Sequence, residues 1–448
     1  MGRLFGTDGI RGVANTELTC ELAASVGKAL ATVLKSNINK TTVIVGCDTR
    51  RSSDMLCASI IGGLCSAGAN AEFVGCVPTP AVAYLTKRHS ANAGIMVSAS
   101  HNPAEYNGIK IFSSEGIKLP DQLEEEIERI VNLPTASLSP SATDIGRVTN
   151  RAEEYLSEYC EYLKNTIDHR HDGIRIALDC ANGSASSSAE RIFTELGATV
   201  RLISASPNGD NINHGCGSTH LEGLKAYMKE HKPDVGFAFD GDADRCICID
   251  GNGNEIDGDR IMAMCAVDMK KQEKLKNNTV VGTVMTNLGF IHFCQNNGIK
   301  FIATKVGDRF VLEEMLRGDY SLGGEQSGHI IFRDHSTTGD GQLTALQVLS
   351  LIKRYNRNVG ELASVMTIYP QITVNIHADN DSKLKLLTDR NISAIIKEAS
   401  EALGINGRLL VRPSGTEPLI RIMAEGTDGK FIKQIVADVA NKLQIALN

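Results

Sequence analysis

The sequence predicts an α/β fold: three similar mixed α/β domains followed by a smaller C-terminal α+β domain. Three observations predict it. Short apolar, strand-like runs alternate with helix-like segments over most of the 448 residues, the pattern of βαβ units. One scheme recurs three times: a strand, a small polar turn, a helix, then a strand ending in a loop of charged and small residues. Beyond Tyr369-Pro370 the character changes, and Gln371 to His377 alternates like a half-exposed strand.

The first domain is expected over 1–150. Thr42 to Gly46 reads as a strand, followed by Asp48-Thr49-Arg50 and a helical pattern from Ser53 to Ala67. Ile95 to Val97 is a second strand, ending in Ser98-Ala99-Ser100. Asn132 to Thr149 is rich in Pro, Ser and Thr and reads as a linker. The second domain, 151–254, has a strand from Gly173 to Leu178, a helical segment reaching Leu196, and a strand from Val235 to Phe239. A Gly- and Asn-rich boundary falls near Gly251 to Asp257. The third, 255–369, has strands from Thr279 to Met285 and Tyr320 to Leu322, the first followed by Thr286-Asn287 and a helix. The fourth, 370–448, continues from its strand as helix, hairpin and helix. In open α/β sheets, ligands sit beyond the carboxyl ends of the strands, so the strand-end loops are candidate sites.

Composition narrows the function classes. Apolar residues at 42% and charged residues at 22% fit a globular chain whose core needs no metal or disulfide staple. Lys and Arg number 46 against 53 Asp and Glu, a net charge of -7, which argues against a nucleic-acid partner. Trp is absent and aromatics are 5%, so base-stacking platforms are not expected either. No stretch approaches the ~18 apolar residues of a membrane span, and Met1 to Ile10 lacks the apolar core of a signal peptide. Twelve cysteines show no C-x-x-C spacing; Cys246 and Cys248 form only C-x-C. Cys47, Cys180 and Cys246 sit in apolar runs as small hydrophobes, and a reducing cytoplasm is expected.

Asp240-Gly241-Asp242-Ala243-Asp244-Arg245 is the strongest chemical signal. Three carboxylates at i, i+2 and i+4 after an apolar run can converge on one hard cation from a turning loop. An EF-hand loop does not fit, because Arg245 stands where glycine is needed and Gly251 where a bidentate Glu is needed. A phosphoryl oxygen as a further ligand would suit Mg²⁺. Ser98-Ala99-Ser100-His101-Asn102-Pro103 also follows a strand and offers a nucleophile, with a helix N-cap serine as the plain alternative. His101 and Lys110 could orient groups or move protons there.

Gly323-Gly324-Glu325-Gln326-Ser327-Gly328-His329 presents donors and acceptors for sugar hydroxyls; His329 alone is equally compatible with a structural role. Glu325 carries charge suited to a sugar's protonated 2-amino group. Arg412-Pro413-Ser414-Gly415-Thr416-Glu417-Pro418 lies between two apolar alternations and reads as an anion cradle, to which Arg421 adds a second guanidinium. Phe5 to Gly12 holds three glycines and Arg11, a weak anionic-site signal. There is no Walker A loop, His-Glu-x-x-His or Gly-x-Gly-x-x-Gly, so nucleotide hydrolysis, zinc proteolysis and dinucleotide redox lack support.

Taken together, these five loops resemble the α-D-phosphohexomutase family, in its order and over nearly the whole length. The resemblance implies four domains around a central cleft. It implies a phosphoserine at Ser100, with Ser100, Asp240, Asp242 and Asp244 binding Mg²⁺. It implies that Glu325 and Ser327 hold the sugar, and that Arg412, Ser414, Gly415, Thr416 and Arg421 hold the phosphate that does not react. Arg11, His101, Lys110, Arg245 and His329 fall in the cleft by the same analogy, the last four as catalytic candidates. The implied activity is transfer between the two ends of a hexosamine phosphate through its 1,6-bisphosphate, feeding amino-sugar nucleotide and cell-wall synthesis. Hexose-phosphate substrates are the nearer alternative, and a metal-dependent sugar phosphatase or a non-catalytic sugar-phosphate binder the more distant ones. No nucleic acid or membrane partner is expected, and a homodimer is left open.

Overall fold

The computed structural model of the chain describes residues 4–6, 8–35, 40–133, 142–414 and 418–447. It forms two compact units, Met1–Met285 with Lys300–Ser364, and Thr286–Ile299 with Val365–Asn448. Among the described residues the strands form four sheets.

Three of these sheets lie in the first unit. The first sheet contains β1 (Ile10–Val13), β2 (Thr42–Cys47), β3 (Asn70–Cys76), β4 (Ala93–Val97), β5 (Tyr106–Ser113) and β6 (Val148–Asn150), ordered β1-β5-β4-β2-β3-β6. Its helices are α1 (Cys20–Val33), α2 (Arg51–Ser66), α3 (Thr79–Arg88) and α4 (Asp121–Val131). The second sheet contains β7 (Arg175–Asp179), β8 (Thr199–Ile203), β9 (Val235–Phe239), β10 (Cys246–Asp250) and β11 (Glu255–Ile256), ordered β11-β10-β9-β7-β8, with α5 (Ala152–Lys164), α6 (Ala189–Glu195) and α7 (Glu222–His231). After α8 (Gly258–Lys271) comes the third sheet. Its strands β12 (Thr279–Thr283), β13 (Lys300–Thr304), β14 (Leu322–Gly324) and β15 (Ile330–Phe332) are ordered β13-β12-β14-β15. Between β12 and β13 the chain forms α9 (Leu288–Asn296), which belongs to the second unit. α10 (Asp308–Gly318), α11 (Gly341–Tyr355) and α12 (Val359–Ala363) complete the first.

The recurring sequence scheme becomes one repeated topology. The orders β3-β2-β4-β5, β8-β7-β9-β10 and β13-β12-β14-β15 are the same. In each, the first three strands are parallel and the last is antiparallel. β4 and β9 are buried along their whole length, as parallel-core strands with both faces covered are. The sheets are mixed, with parallel cores and antiparallel flanks. The serine, aspartate and glutamate loops are the hairpin-like links β4–β5, β9–β10 and β14–β15, so repetition of one topology places each at a corresponding sheet end.

Three segments take more definite structure than the sequence suggests. The Gly251 to Asp257 stretch is the β10–β11 turn and the start of α8, where Asp257 caps the helix by accepting from the Arg260 amide at 3.0 Å. The strand expected at Tyr320 to Leu322 is displaced to Leu322–Gly324. Val148 and Thr149, at the end of the expected linker, pair with β3. Of that linker, 134–141 lie outside the described residues.

The second unit has β16 (Gln371–His377), α13 (Asn380–Thr388), α14 (Arg390–Leu403), β17 (Gly407–Pro413), β18 (Leu419–Gly426) and α15 (Gly429–Leu447). Its sheet is antiparallel, ordered β16-β18-β17. The single helix expected before the hairpin is two, because Asp389 ends α13 and caps α14 by accepting from the Asn391 and Ile392 amides. Ile420, Ile422 and Ala424 of β18 pack with Val436 and Leu443 of α15 in one core. The Leu288 amide donates to Glu425 Oε1 at 3.1 Å, which ties α9 to this sheet.

Candidate active site

The serine loop is held from beneath. Asp48, at the end of β2, accepts from Ser98 Oγ at 2.6 Å and Arg50 Nε at 2.8 Å. The fully buried Arg50 guanidinium donates to the carbonyls of Ser100, Asn102 and Tyr106 at 2.8–2.9 Å, and also to that of Pro103. Asn213 Nδ2 adds bonds to Ser100 O and Asn102 O. With its carbonyls claimed, the loop turns at Ser100, whose φ is +52°. The left-handed conformation costs a residue with a Cβ roughly 1–2 kcal/mol, so this hydroxyl is held in place against local preference. No helix follows; β5 begins at Tyr106, which removes the N-cap alternative.

The aspartate loop meets that hydroxyl. Ser100 Oγ donates to Asp240 Oδ2 at 2.7 Å. A Cβ on Gly241 would stand 2.6 Å from Ser100 O, so only glycine lets the loops approach this closely. Ala243 is also left-handed, at φ +56°, and its amide bonds back to Asp240 O. That turn brings carboxylate oxygens of Asp240, Asp242 and Asp244 within 4.8 Å of one another, on residues 0–5% exposed. Burial, then Asp244 and Asp242, push the Asp240 carboxyl well above its usual range. Asp242 Oδ1 and Asp244 Oδ1 are buried without hydrogen-bond partners. Crowded carboxylates with orphaned oxygens fit a hard divalent cation, which would take up both the lone pairs and the excess charge.

Four further candidates surround the cluster. Lys110 Nζ lies 2.8 Å from Asp242 Oδ2 and 3.4 Å from Asp244 Oδ2. Burial opposes its charge, but Asp242, Asp8 and Asp244 hold its pKa well above the ordinary value. Arg245 Nε is 3.9 Å from both Asp240 and Asp244. His101 Nδ1 is 3.4 Å from Ser100 Oγ; burial, then Arg245 and Arg11, push its pKa down to about 4, leaving a neutral ring able to accept a proton.

His329 Nδ1 faces Asp244 at 3.6 Å. Burial lowers its pKa, but Asp244, Asp308 and Glu325 outweigh that and raise it to about 9. The Gly339 amide donates to Nε2 at 2.9 Å, which needs that nitrogen's lone pair. The geometry therefore selects the form protonated on Nδ1, against the carboxylates' pull toward a second proton.

Gly328 shapes the third loop. Its φ is +93°, and a Cβ there would lie 2.4 Å from Cys246 O. Glu325 Oε1 accepts from the Gly307 amide at 3.0 Å, and Ser327 is exposed. Gln326 is tied to the helix cap Asp257 at 3.1 Å. Arg11 donates to Asn102 Oδ1 at 3.1 Å and pairs with Asp8.

Arg412, Ser414 and Arg421 belong to the second unit. Arg412 and Arg421 are cross-strand partners on β17 and β18, and burial followed by the Arg421 charge lowers the Arg412 pKa. An anion between them would relieve that repulsion. Lys383 of α13 donates to Ser414 O at 2.8 Å. Gly415 and Thr416 lie outside the described residues.

Sequence reasoning missed Asp8, Asp48, Arg50, Thr79, Lys118, Asn213 and Asp308. Thr79, at the start of α3, donates to Asp242 Oδ2 at 2.6 Å across 163 residues. Asp48 and Arg50 stood at a strand end and Asp8 within the Phe5 to Gly12 motif; the others carry no signal until the chain folds.

Models of the phosphoglucomutase/phosphomannomutase family match in four parts: alpha/beta/alpha domain I at residues 2–136, domain II at 157–253, domain III at 257–369 and the C-terminal domain at 373–442. A phosphoglucosamine mutase from Caldanaerobacter subterraneus subsp. tengcongensis is 53% identical over 450 residues, covering 100% of both chains. A solved phosphoglucomutase/phosphomannomutase family protein from Burkholderia thailandensis has a TM-score of 0.83 at 24% identity, covering 99% of this chain and 97% of its own. The Aspergillus fumigatus N-acetylphosphoglucosamine mutase, solved with GlcNAc-6P and magnesium, has a TM-score of 0.70 at 18% identity, covering 99% and 96%. The four matches in their order, with a relative of the same length at half identity, show that the chain belongs to the phosphoglucomutase/phosphomannomutase family.

Proposed function

We propose that the protein interconverts glucosamine 6-phosphate and glucosamine 1-phosphate through a phosphoserine at Ser100 and a 1,6-bisphosphate. The observation that carries this reading is the Ser100 hydroxyl, fixed in a left-handed turn 2.7 Å from a buried three-aspartate cluster. The choice of sugar is supported by the full-length likeness to a phosphoglucosamine mutase.

In the first half-reaction the phosphoryl group leaves Ser100 Oγ for the free hydroxyl of the sugar phosphate, and that hydroxyl's proton passes to a nearby base. Neutral His101 and singly protonated His329 are the groups able to take and return it, beside the fixed charge of Lys110. The bisphosphate turns end for end, and Ser100 Oγ receives its other phosphoryl group. Mg²⁺ held by Asp240, Asp242, Asp244 and an oxygen on Ser100 would supply charge neutralisation of the transferring group. Arg245 and Arg11 add fixed positive charge. Glu325 and Ser327 bind the sugar, and Arg412, Ser414, Gly415, Thr416 and Arg421 grip the phosphate not in reaction. The same reading divides the chain after residues 150, 254 and 369 and places it in the cytoplasm. Each of the twelve cysteines is a free thiol, and no helix of the described residues is long and apolar enough to cross a membrane.

The test of substrate is the ratio of kcat/KM for glucosamine 6-phosphate over glucose 6-phosphate, with Mg²⁺ and bisphosphate matched. The expected ratio is well above one. A ratio near one, or a preference for mannose phosphate, would replace the sugar while leaving the mutase chemistry in place.

A further inference from the structure

The two groups that flank the aspartate cluster are each backed by a carboxylate, and one lysine joins the two carboxylates. Lys110 Nζ, 2.8 Å from Asp242, lies 3.3 Å from Asp8 Oδ2 on its other side. His329, facing Asp244 through Nδ1, has Asp308 Oδ2 3.7 Å from Nε2. Lys118 Nζ sits between the acids, 2.5 Å from Asp8 Oδ1 and 2.7 Å from Asp308 Oδ2. The chain of contacts thus runs Asp242, Lys110, Asp8, Lys118, Asp308, His329, Asp244, closing a ring around the cluster.

The ring is built on rigid elements. Lys110 is in β5, and Lys118 is fixed by a bridge to Phe112 of the same strand. Asp308 opens α10, where a carboxylate is favoured by the helix dipole. Lys118 is 14% exposed, so its bonds are little screened by solvent. Burial opposes the charged form of each acid, yet Lys110 and Lys118 hold Asp8 well below the usual carboxylate range, and Lys118 lowers Asp308. Asp8 and Asp308 raise each other's energy, so without Lys118 the two carboxylates would part and carry their partners with them.

We propose that Lys118 is a positioning residue for phosphoryl transfer, acting through Asp8 and Asp308 to fix Lys110 and His329 on either side of the aspartate cluster. This rests on the reading that Lys110 and His329 serve transfer at Ser100. It adds a residue whose ion-pair partners are Asp8 and Asp308, and it joins the first and third sheets of the unit at the site.

The test uses the full-length protein with Mg²⁺ and bisphosphate, comparing wild type, Lys118→Met and Lys118→Arg. Misplaced supporting groups cost about 10- to 100-fold. Lys118→Met should therefore lower kcat by about that factor, with KM for the sugar phosphate within about threefold, and Lys118→Arg should recover most of the loss. A purely structural lysine would lower the thermal midpoint while kcat per folded molecule stayed at the wild-type value, and that result would overturn the proposal. If Lys118→Met does not fold, Asp308→Asn breaks the same bridge from its other end and must show the same kcat loss; wild-type kcat there would also overturn it. Wild type that fails to isomerise sugar phosphates would instead defeat the underlying reading, so the two failures are distinct.

Discussion

The aspartate loop and the Arg412–Arg421 pair both crowd like charges, with opposite sign and at different depth. The aspartates are almost wholly buried on one tight turn and are stitched to neighbours by Thr79, Lys110 and Ser100. The arginines stand opposite each other on adjacent strands and are only half-buried. The first arrangement suits a resident ion, which can be desolvated once and kept. The second suits an anion that must arrive and leave in every turnover. On the proposed function, depth more than sign would separate the ion site from the phosphate site.

The comparison can be broken most severely at the point where ion and substrate would meet. Ser100→Ala should abolish turnover, because on the proposed mechanism its hydroxyl carries the phosphoryl between half-reactions. Steady-state interconversion with added bisphosphate checks this, and a near-wild-type rate would remove Ser100 from the mechanism.

Next in size is Asp242→Asn. Losing a carboxylate ligand should cost at least the ~10–100-fold in metal affinity that follows loss of an outer-shell partner. The midpoint of activity against Mg²⁺ concentration is the readout, and an unchanged midpoint would take the loop out of the ion site. Arg412→Ala should act on the other region: a charge-assisted bond worth about 1.5–3 kcal/mol implies roughly 10- to 150-fold weaker sugar-phosphate binding. Its Mg²⁺ midpoint should not move, which is the contrast between the regions in one pair of titrations.

The smallest effect sharpens the depth argument. Burial and its two neighbours disfavour the charged form of Asp240. Asp240→Asn should therefore raise the thermal midpoint of the metal-free protein, on the order of a degree or two, while turnover falls. A lower metal-free midpoint would mean that the cluster is not under charge repulsion.

The aspartate loop and the serine loop were legible because their chemistry is local: the residues are adjacent and each follows an apolar strand. The repeated strand-helix scheme was legible for the same reason. The antiparallel flanks were not, since the residues of β5, β10 and β15 do not fix the direction of a strand relative to its neighbour. The break at Asp389 was hidden because the apolar pattern continues through it. The ring through Asp8, Lys118 and Asp308 was invisible for a stronger reason. Directly paired members lie as far as 190 residues apart, and each looks like an ordinary surface charge until the sheets bring them together.

The most direct test of the central claim is a single-turnover transfer from enzyme carrying a labelled phosphate. The protein is first examined by intact mass and phosphopeptide mapping, then mixed with glucosamine 6-phosphate and Mg²⁺. The account predicts one phosphate on Ser100 and passage of its label into the sugar bisphosphate and then the monophosphates. Label released as inorganic phosphate without isomerised sugar, or a phosphate mapped to another residue, would contradict it.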